Sequence, residues 1–339
     1  MQNRPKGRRI LMATNQFERP IFNFETYYDE VISVPNEDLP VYVFKNVRIN
    51  PWAKNKKHYD MPGYWMCLTD GGRQYGHWIK ESIGGFVYCQ SIFKDLKPFF
   101  LETFNGRDNY TFHPMSELIE FAHNKILDDF ADERIYMMGN EIHDTSFFIE
   151  NLVIMMDNQR VFFNSEFPYF AEAHCPQVSK ALANYFKDYK IDDEHLPKKI
   201  FMSRKNVSQD LKKTGMNQNQ YFKNRYFEEW VEDAIEKAFV DKGYAVVNWS
   251  GRPLQDQIRI SHNATHLAGI IGTAFHNAIW SQNGTKFYAI RPNNKYLFDW
   301  EHDIVNSLED VTYQIVDPWH CKDYQELYDF ISGSINDEN

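Results

Sequence analysis

Between residues 198 and 290 short apolar runs alternate with amphipathic ones, and this alternation limits the available folds more than any other feature of the chain. "KKIFMSR" (Lys198–Arg204) reads as a strand, and after a polar loop "FEEWVEDAIEKAFVDKG" reads as a helix. In that helix Phe227, Trp230, Val231, Ala234, Ile235, Ala238 and Phe239 recur at the spacing of one face laid on a sheet. Glu228, Glu229, Glu232 and Asp233 crowd its N-terminal half and Gly243 marks its stop, as the helix dipole and a left-handed cap favour. "YAVVNW" is the next strand, "LQDQIRISHNA" the next helix and "LAGIIG" the third strand. "AFHNAIWSQ" reads as a helix closed by Asn283-Gly284, and "KFYAI" (Lys286–Ile290) as a fourth strand. Strands and helices at this spacing imply βαβ units and a parallel sheet.

The first half is less regular. "PVYVFKNVRI" (Pro40–Ile49) alternates as a strand, "YWMCL" (Tyr64–Leu68) is a buried-strand run, and "RIYMMG" (Arg134–Gly139) is another strand. A helix is expected from Ser116 to about Phe130. Near the C-terminus Asp323 and Glu326 form a capping box for a helix carrying Tyr324, Leu327, Tyr328 and Ile331. A chain of 339 residues exceeds what one core usually organises. A boundary near residues 165–195, in a helical stretch, divides it into 1–165, 166–320 and a C-terminal helix and tail at 321–339.

The formal charge of −10 argues against a nucleic-acid binder, which needs a basic footprint. Aromatic residues reach 16%, and flat aromatic faces are also what sugar-handling sites use. The four cysteines (Cys67, Cys89, Cys175, Cys321) are scattered without metal or redox spacing and read as free thiols of a reducing, cytoplasmic setting. No stretch approaches the ~20 apolar residues of a membrane span, which leaves peripheral association with a membrane open. Oligomeric state is not legible.

In a parallel sheet, ligands sit beyond the carboxyl ends of the strands, where strand order reverses. Those ends carry Ser203-Arg204-Lys205 after the first strand and Asn248 after the second, with Thr273-Ala274-Phe275-His276 opening the helix after the third. A strand order of 2-1-3-4 sets Arg204 beside the Thr273 turn. A cation facing free N–H groups at a helix start makes a pyrophosphate site. Thr273 is expected as the N-cap of that helix. The glycine pattern is neither a Walker loop nor G-x-G-x-x-G, which disfavours a kinase or a standard dinucleotide dehydrogenase. In the first half, "GGRQYGHWIKESIGGF" follows the strand Tyr64–Leu68, and His77 and Glu81 stand four residues apart on one helix face. A carboxylate beside an imidazole favours the charged ring, and such a pair suits taking a proton from an attacking alcohol. A surface ion pair is the competing structural reading.

The order of these motifs resembles glycosyltransferase family 61, from about residue 40 to about residue 295. The match rests on Tyr75-Gly76-His77-Trp78 with Glu81, "FMSR" with Arg204, "GYAVVNW", "LQDQIRISHNA" with Gln257, and "GIIGTAFHNAIW" followed by Gly284-Thr285. Two departures stand out: Gln74 replaces the Asn of many relatives, and Thr-Ala-Phe-His replaces a His-Gly-Ala turn. The resemblance implies a GT-B-like α/β architecture, in which two Rossmann-like domains with parallel sheets face a cleft. It implies transfer of a sugar, with inversion and without a metal or cofactor, from a nucleotide-sugar donor, expected to be UDP-linked, to a glycan acceptor. Surface polysaccharide or glycan assembly is the expected setting. On this reading His77 and Glu81 are the catalytic candidates; Ser203, Arg204, Lys205, Asn248, Gln257, Thr273, Ala274 and His276 are the donor-binding ones. An inactive nucleotide- or carbohydrate-binding protein and a GT-B-like sugar-nucleotide epimerase are the alternatives.

Overall fold

The computed structural model describes residues 8–11, 25–34, 41–49, 57–69, 84–102, 135–138, 145–155, 176–206, 228–249, 252–291, 305 and 308–336. They belong to two compact units, Met1–Leu182 and Ala183–Asn339. The helix expected from Ser116 lies outside the described residues, as do His77 and Glu81.

The first unit holds an eight-stranded sheet. Its strands are β1 (Arg8–Leu11), β2 (Glu25–Tyr28), β3 (Glu30–Val34), β4 (Val41–Ile49), β5 (Lys57–Thr69), β6 (Lys97–Glu102), β7 (Ile135–Met138) and β8 (Thr145–Met155). The order is β1-β2-β4-β8-β5-β6-β7, with β3 also on β4. The strands from β8 through β5 and β6 to β7 run parallel, while the β1–β2, β2–β4, β3–β4 and β4–β8 pairs are antiparallel. The expected parallel sheet is therefore half of a mixed one. Alternation in "PVYVFKNVRI" declares a strand with one buried face, but it carries no information about the direction of its neighbour. β5 is kinked where Pro62-Gly63 interrupts its pairing with β8. Gly63 there has φ +86° and donates its N–H to Glu150 at 2.7 Å, while Asn151 donates to the Gly63 carbonyl at 3.0 Å. A proline cannot continue a ladder, so the bulge falls where the sequence allows no other solution. Helix α1 (Gly84–Ile92), buried from Gly84 to Gln90, lies between the parallel strands β5 and β6. The segment with His77 and Glu81 is thus the connection leaving the carboxyl end of β5.

Helix α2 (Pro176–Tyr185) crosses the division between the units. The second unit follows the alternation closely. Strands β9 (Lys199–Ser203), β10 (Ala245–Asn248), β11 (His266–Ile270), β12 (Lys286–Ile290) and β13 (Thr312–Val316) form a wholly parallel sheet in the order β10-β9-β11-β12-β13. The order 2-1-3-4 holds, and β13 extends it by a strand that the sequence reading did not identify.

Helix α3 (Glu229–Asp241) buries the stripe Val231, Ala234, Ile235, Ala238 and Phe239 and ends at Gly243, φ +83°. Helix α5 (Tyr324–Ser334) adds Leu327 and Ile331 to the same core, so the C-terminal helix is part of this unit. Its N-cap is Asp323, which accepts from the Glu326 N–H at 2.9 Å. Phe201 stacks on Phe239 with ring centroids 5.0 Å apart, which seats α3 on β9. The opposite face carries helix α4 (Leu254–Asn263) and a 3-10 helix over Thr273–Trp280, whose Phe275 meets Phe287 of β12. No described helix is long and apolar enough to cross a membrane.

Candidate functional site

β9 is a central strand, and strand alternation sorts the residues at its end. Ser203 follows the parity of Phe201 and faces α3, where its hydroxyl donates to Glu236 at 2.9 Å. Lys205, just past the strand, turns to the same helix: its ammonium meets Glu236 at 2.7 Å and Asp233 at 2.8 Å. Partial burial works against the charge of Lys205, but the two carboxylates outweigh it and hold the ammonium above its ordinary range. Ser203 and Lys205, both expected to bind donor, thus tie β9 to α3, and Lys205 spends its charge on helix carboxylates.

Arg204 has the opposite parity and turns toward β11. Its Nη1 lies 3.4 Å from the Ile271 carbonyl. A Cβ placed on Gly272 would come within 2.8 Å of the same nitrogen. Gly272 has φ +149° and ψ −166°, a conformation reserved for glycine, so the guanidinium lies against bare backbone. The geometry joins Arg204 to the start of the 3-10 helix, as the strand order requires. Gly272 is the flanking cap residue there, and Thr273 is the first helical residue rather than the N-cap. Phe275 closes the turn by donating its N–H to the Gly272 carbonyl at 2.7 Å. The element is 3-10 rather than α. The Asn277 side chain donates to the Ala274 carbonyl at 3.0 Å, a three-residue back-bond that suits the tighter winding.

The remaining donor-binding candidates divide. Ala274 lies in the first turn after Gly272, half-buried. His276 is buried at 4% exposure, and the neighbouring Asn277 is fully enclosed. Asn248 ends β10 level with Ser203. Gln257 is 2% exposed and turns inward, its amide donating to the Arg252 carbonyl at 2.8 Å. It shapes the β10–α4 connection from inside.

Two further arginines stand at this edge, Arg291 at the strand end where the sequence places it and Arg252, which the strand-end reading did not include. Arg291, directly after β12, is paired with Asp317 at 3.1 Å. Arg252, just before α4, donates its Nε to the Asn248 carbonyl at 3.2 Å. The signal for both was a strand followed within a few residues by arginine, the same signal that identified Arg204. Among the described residues no group of three His, Cys, Asp or Glu side chains is gathered as a metal centre requires.

The site can therefore hold an anion: a fixed guanidinium faces a helix-start turn at the carboxyl edge of a parallel sheet, at the reversal of strand order. The family model for Glycosyltransferase 61 matches residues 75–288. That range runs from the segment with His77 and Glu81 through Arg204 and the Gly272 turn to β12, and covers well over half of the chain. No curated protein matches the chain. The chain belongs to the glycosyltransferase 61 family and is a glycosyltransferase.

Proposed function

We propose that this glycosyltransferase binds a nucleoside-diphosphate sugar, UDP-linked, at the carboxyl edge of the second unit and transfers the sugar to a glycan hydroxyl with inversion, without a metal. The acceptor oxygen attacks the anomeric carbon from the side opposite the diphosphate. The new carbon–oxygen bond forms as the bond to the β-phosphate oxygen breaks, and the acceptor proton passes to a base. Negative charge grows on the departing diphosphate, so a fixed cation and backbone N–H groups aimed at it lower the barrier. Arg204 and the turn at Gly272–Ala274 supply these. His77, oriented by Glu81, takes the proton. The scattered cysteines favour a cytoplasmic setting, and assembly of surface polysaccharide or another glycan is the process proposed.

The observation that carries this reading is Arg204, held against the Gly272 turn by the β10-β9-β11 order. Nucleoside diphosphate should stabilise the protein by mass action, by about 2.7 kcal/mol at a hundredfold excess over Kd, and so raise its melting temperature. Arg204→Ala should abolish most of that shift while changing the unliganded melting point little. Unaltered binding by the variant would remove Arg204 from the site. Transfer that stops with EDTA and returns with Mn²⁺ would overturn the metal-free mechanism.

A further inference from the structure

A diphosphate carries more charge than one guanidinium offsets, and Lys205 stands beside Arg204 among the expected donor-binding residues. The structure assigns the second charge elsewhere. Among the described residues, three cations at this edge besides Arg204 can be sorted by what holds them there: Lys205 by Asp233 and Glu236, Arg291 by Asp317, and Arg252 by backbone. We infer that Arg252 is the second phosphate-binding cation, gripping the phosphate that Arg204 does not, and that Gln257 is the residue that positions it. This rests on the donor-site reading above.

The geometry is specific. Asn248 and Ser203 are register partners on adjacent parallel strands. Arg252 lies four residues beyond Asn248, yet its Nε returns to the Asn248 carbonyl at 3.2 Å. Its guanidinium is thereby brought back to the end of β10, about one strand spacing, roughly 4.8 Å, from the end of β9. Arg204 reaches the other way, toward Ile271 after β11. The two guanidinium groups thus flank the end of β9 at the same edge.

Arg252 is also pre-set. Its N–H donates to the Trp249 carbonyl at 3.1 Å, and its carbonyl accepts from the buried Gln257 amide at 2.8 Å. These contacts fix its backbone and Nε but use neither Nη1 nor Nη2, which have no hydrogen-bond or ion-pair partner among the described residues. Asp256, in the first turn of α4, makes no ion pair with it. The half-buried side chain presents two N–H₂ groups in the fork that matches phosphate oxygens. α4 starts immediately afterwards, with Pro253 as its cap, so its first-turn N–H groups reinforce the same polarity.

The test compares nucleoside di- and monophosphates of uridine, guanosine, adenosine and cytidine, titrated calorimetrically into the full chain. Wild type should prefer the diphosphate of its base. Arg252→Gln should weaken the diphosphate about tenfold or more and the monophosphate little, collapsing the preference. Arg252→Lys should recover part of it, and Lys205→Gln should leave both affinities unchanged. Gln257→Leu should reduce the same preference, with an effect that does not add to that of Arg252→Gln. If Arg252→Gln binds the diphosphate within twofold of wild type, or loses both ligands equally, the assignment to Arg252 fails alone. If Lys205→Gln shows the collapse instead, the charge belongs to Lys205. If wild type binds none of the nucleotides, the donor-site reading fails and takes this inference with it.

Discussion

At Gly272 a single hydrogen atom decides the site. Its φ of +149° is closed to L side chains, and a Cβ there would meet Arg204 Nη1 at 2.8 Å. Gly272→Ala should therefore cost about 1–3 kcal/mol in backbone strain and also push the guanidinium from its place. The expected outcome is a lowered melting temperature together with diphosphate affinity reduced toward that of Arg204→Ala. Gly284 is the matched control: its φ is +82°, but nothing lies within 4 Å of its missing Cβ. Gly284→Ala should lose stability and keep full diphosphate binding. Equal binding by the two glycine variants would show that Arg204 is not held by contact with the turn. Arg204 was legible because strand order and a strand-end arginine together fix its neighbour. Glu236 was not, because the sequence marks a helix face as polar without saying which carboxylate reaches a strand end.

At the scale of elements, periodicity carried most of the second unit. Val231, Ala234, Ile235, Ala238 and Phe239 of the expected stripe are buried and the stop falls at Gly243, while Trp230 is half-buried, Glu232 is buried besides, and Phe227 lies outside the described residues. β13, "TYQIV", escaped because it is an edge strand with only Val316 buried, so it shows no run of buried residues. The 3-10 winding of Thr273–Trp280 escaped because apolar spacing over eight residues does not separate it from an α-helix. The α4 helix is fastened by a clip that no propensity describes. Asn263, 2% exposed, accepts from the Asp193 N–H at 2.8 Å and donates to the Ile191 and Arg259 carbonyls at 2.7 and 2.8 Å. Arg259 pairs with the Asp193 carboxylate and holds it below its ordinary pKa. Asn263→Ala strands buried backbone groups and should destabilise by about 1–3 kcal/mol in urea titrations, with diphosphate affinity unchanged.

The neighbouring His262 adds a pH dependence. Burial first, and then the charge of Lys190, hold it below its ordinary value of 6.5, while Asp192 acts in opposition. The folded chain keeps His262 neutral where the unfolded chain would protonate it. Its contribution to stability is full above pH 6.5 and falls as the pH drops through 6.5 toward the lowered folded value. The urea midpoint should fall through that window, and His262→Gln should flatten the fall. An unchanged slope in the variant would assign the acid sensitivity to other groups.

At the scale of the whole molecule, the proposed chemistry is divided: the donor grip in the second unit, the proton acceptor on the β5–α1 connection of the first. Substitutions in the two units should therefore leave different kinetic marks. Arg204→Ala should weaken donor binding. Glu81→Gln and His77→Ala should leave donor affinity near wild type and lower kcat by about 10²–10⁴, the span of acid–base catalysis. The double variant should lose little more than the worse single one, since a base and the group that orients it act as a unit. A surface ion pair predicts otherwise: turnover near wild type in both single variants and about 1 kcal/mol or less of lost stability. The measurement is kcat at saturating donor and acceptor, with diphosphate binding titrated in parallel. If Glu81→Gln turns over within a few-fold of wild type while His77→Ala is inactive, the imidazole carries the proton alone. If both variants turn over normally, the base lies elsewhere and the donor site stands without them.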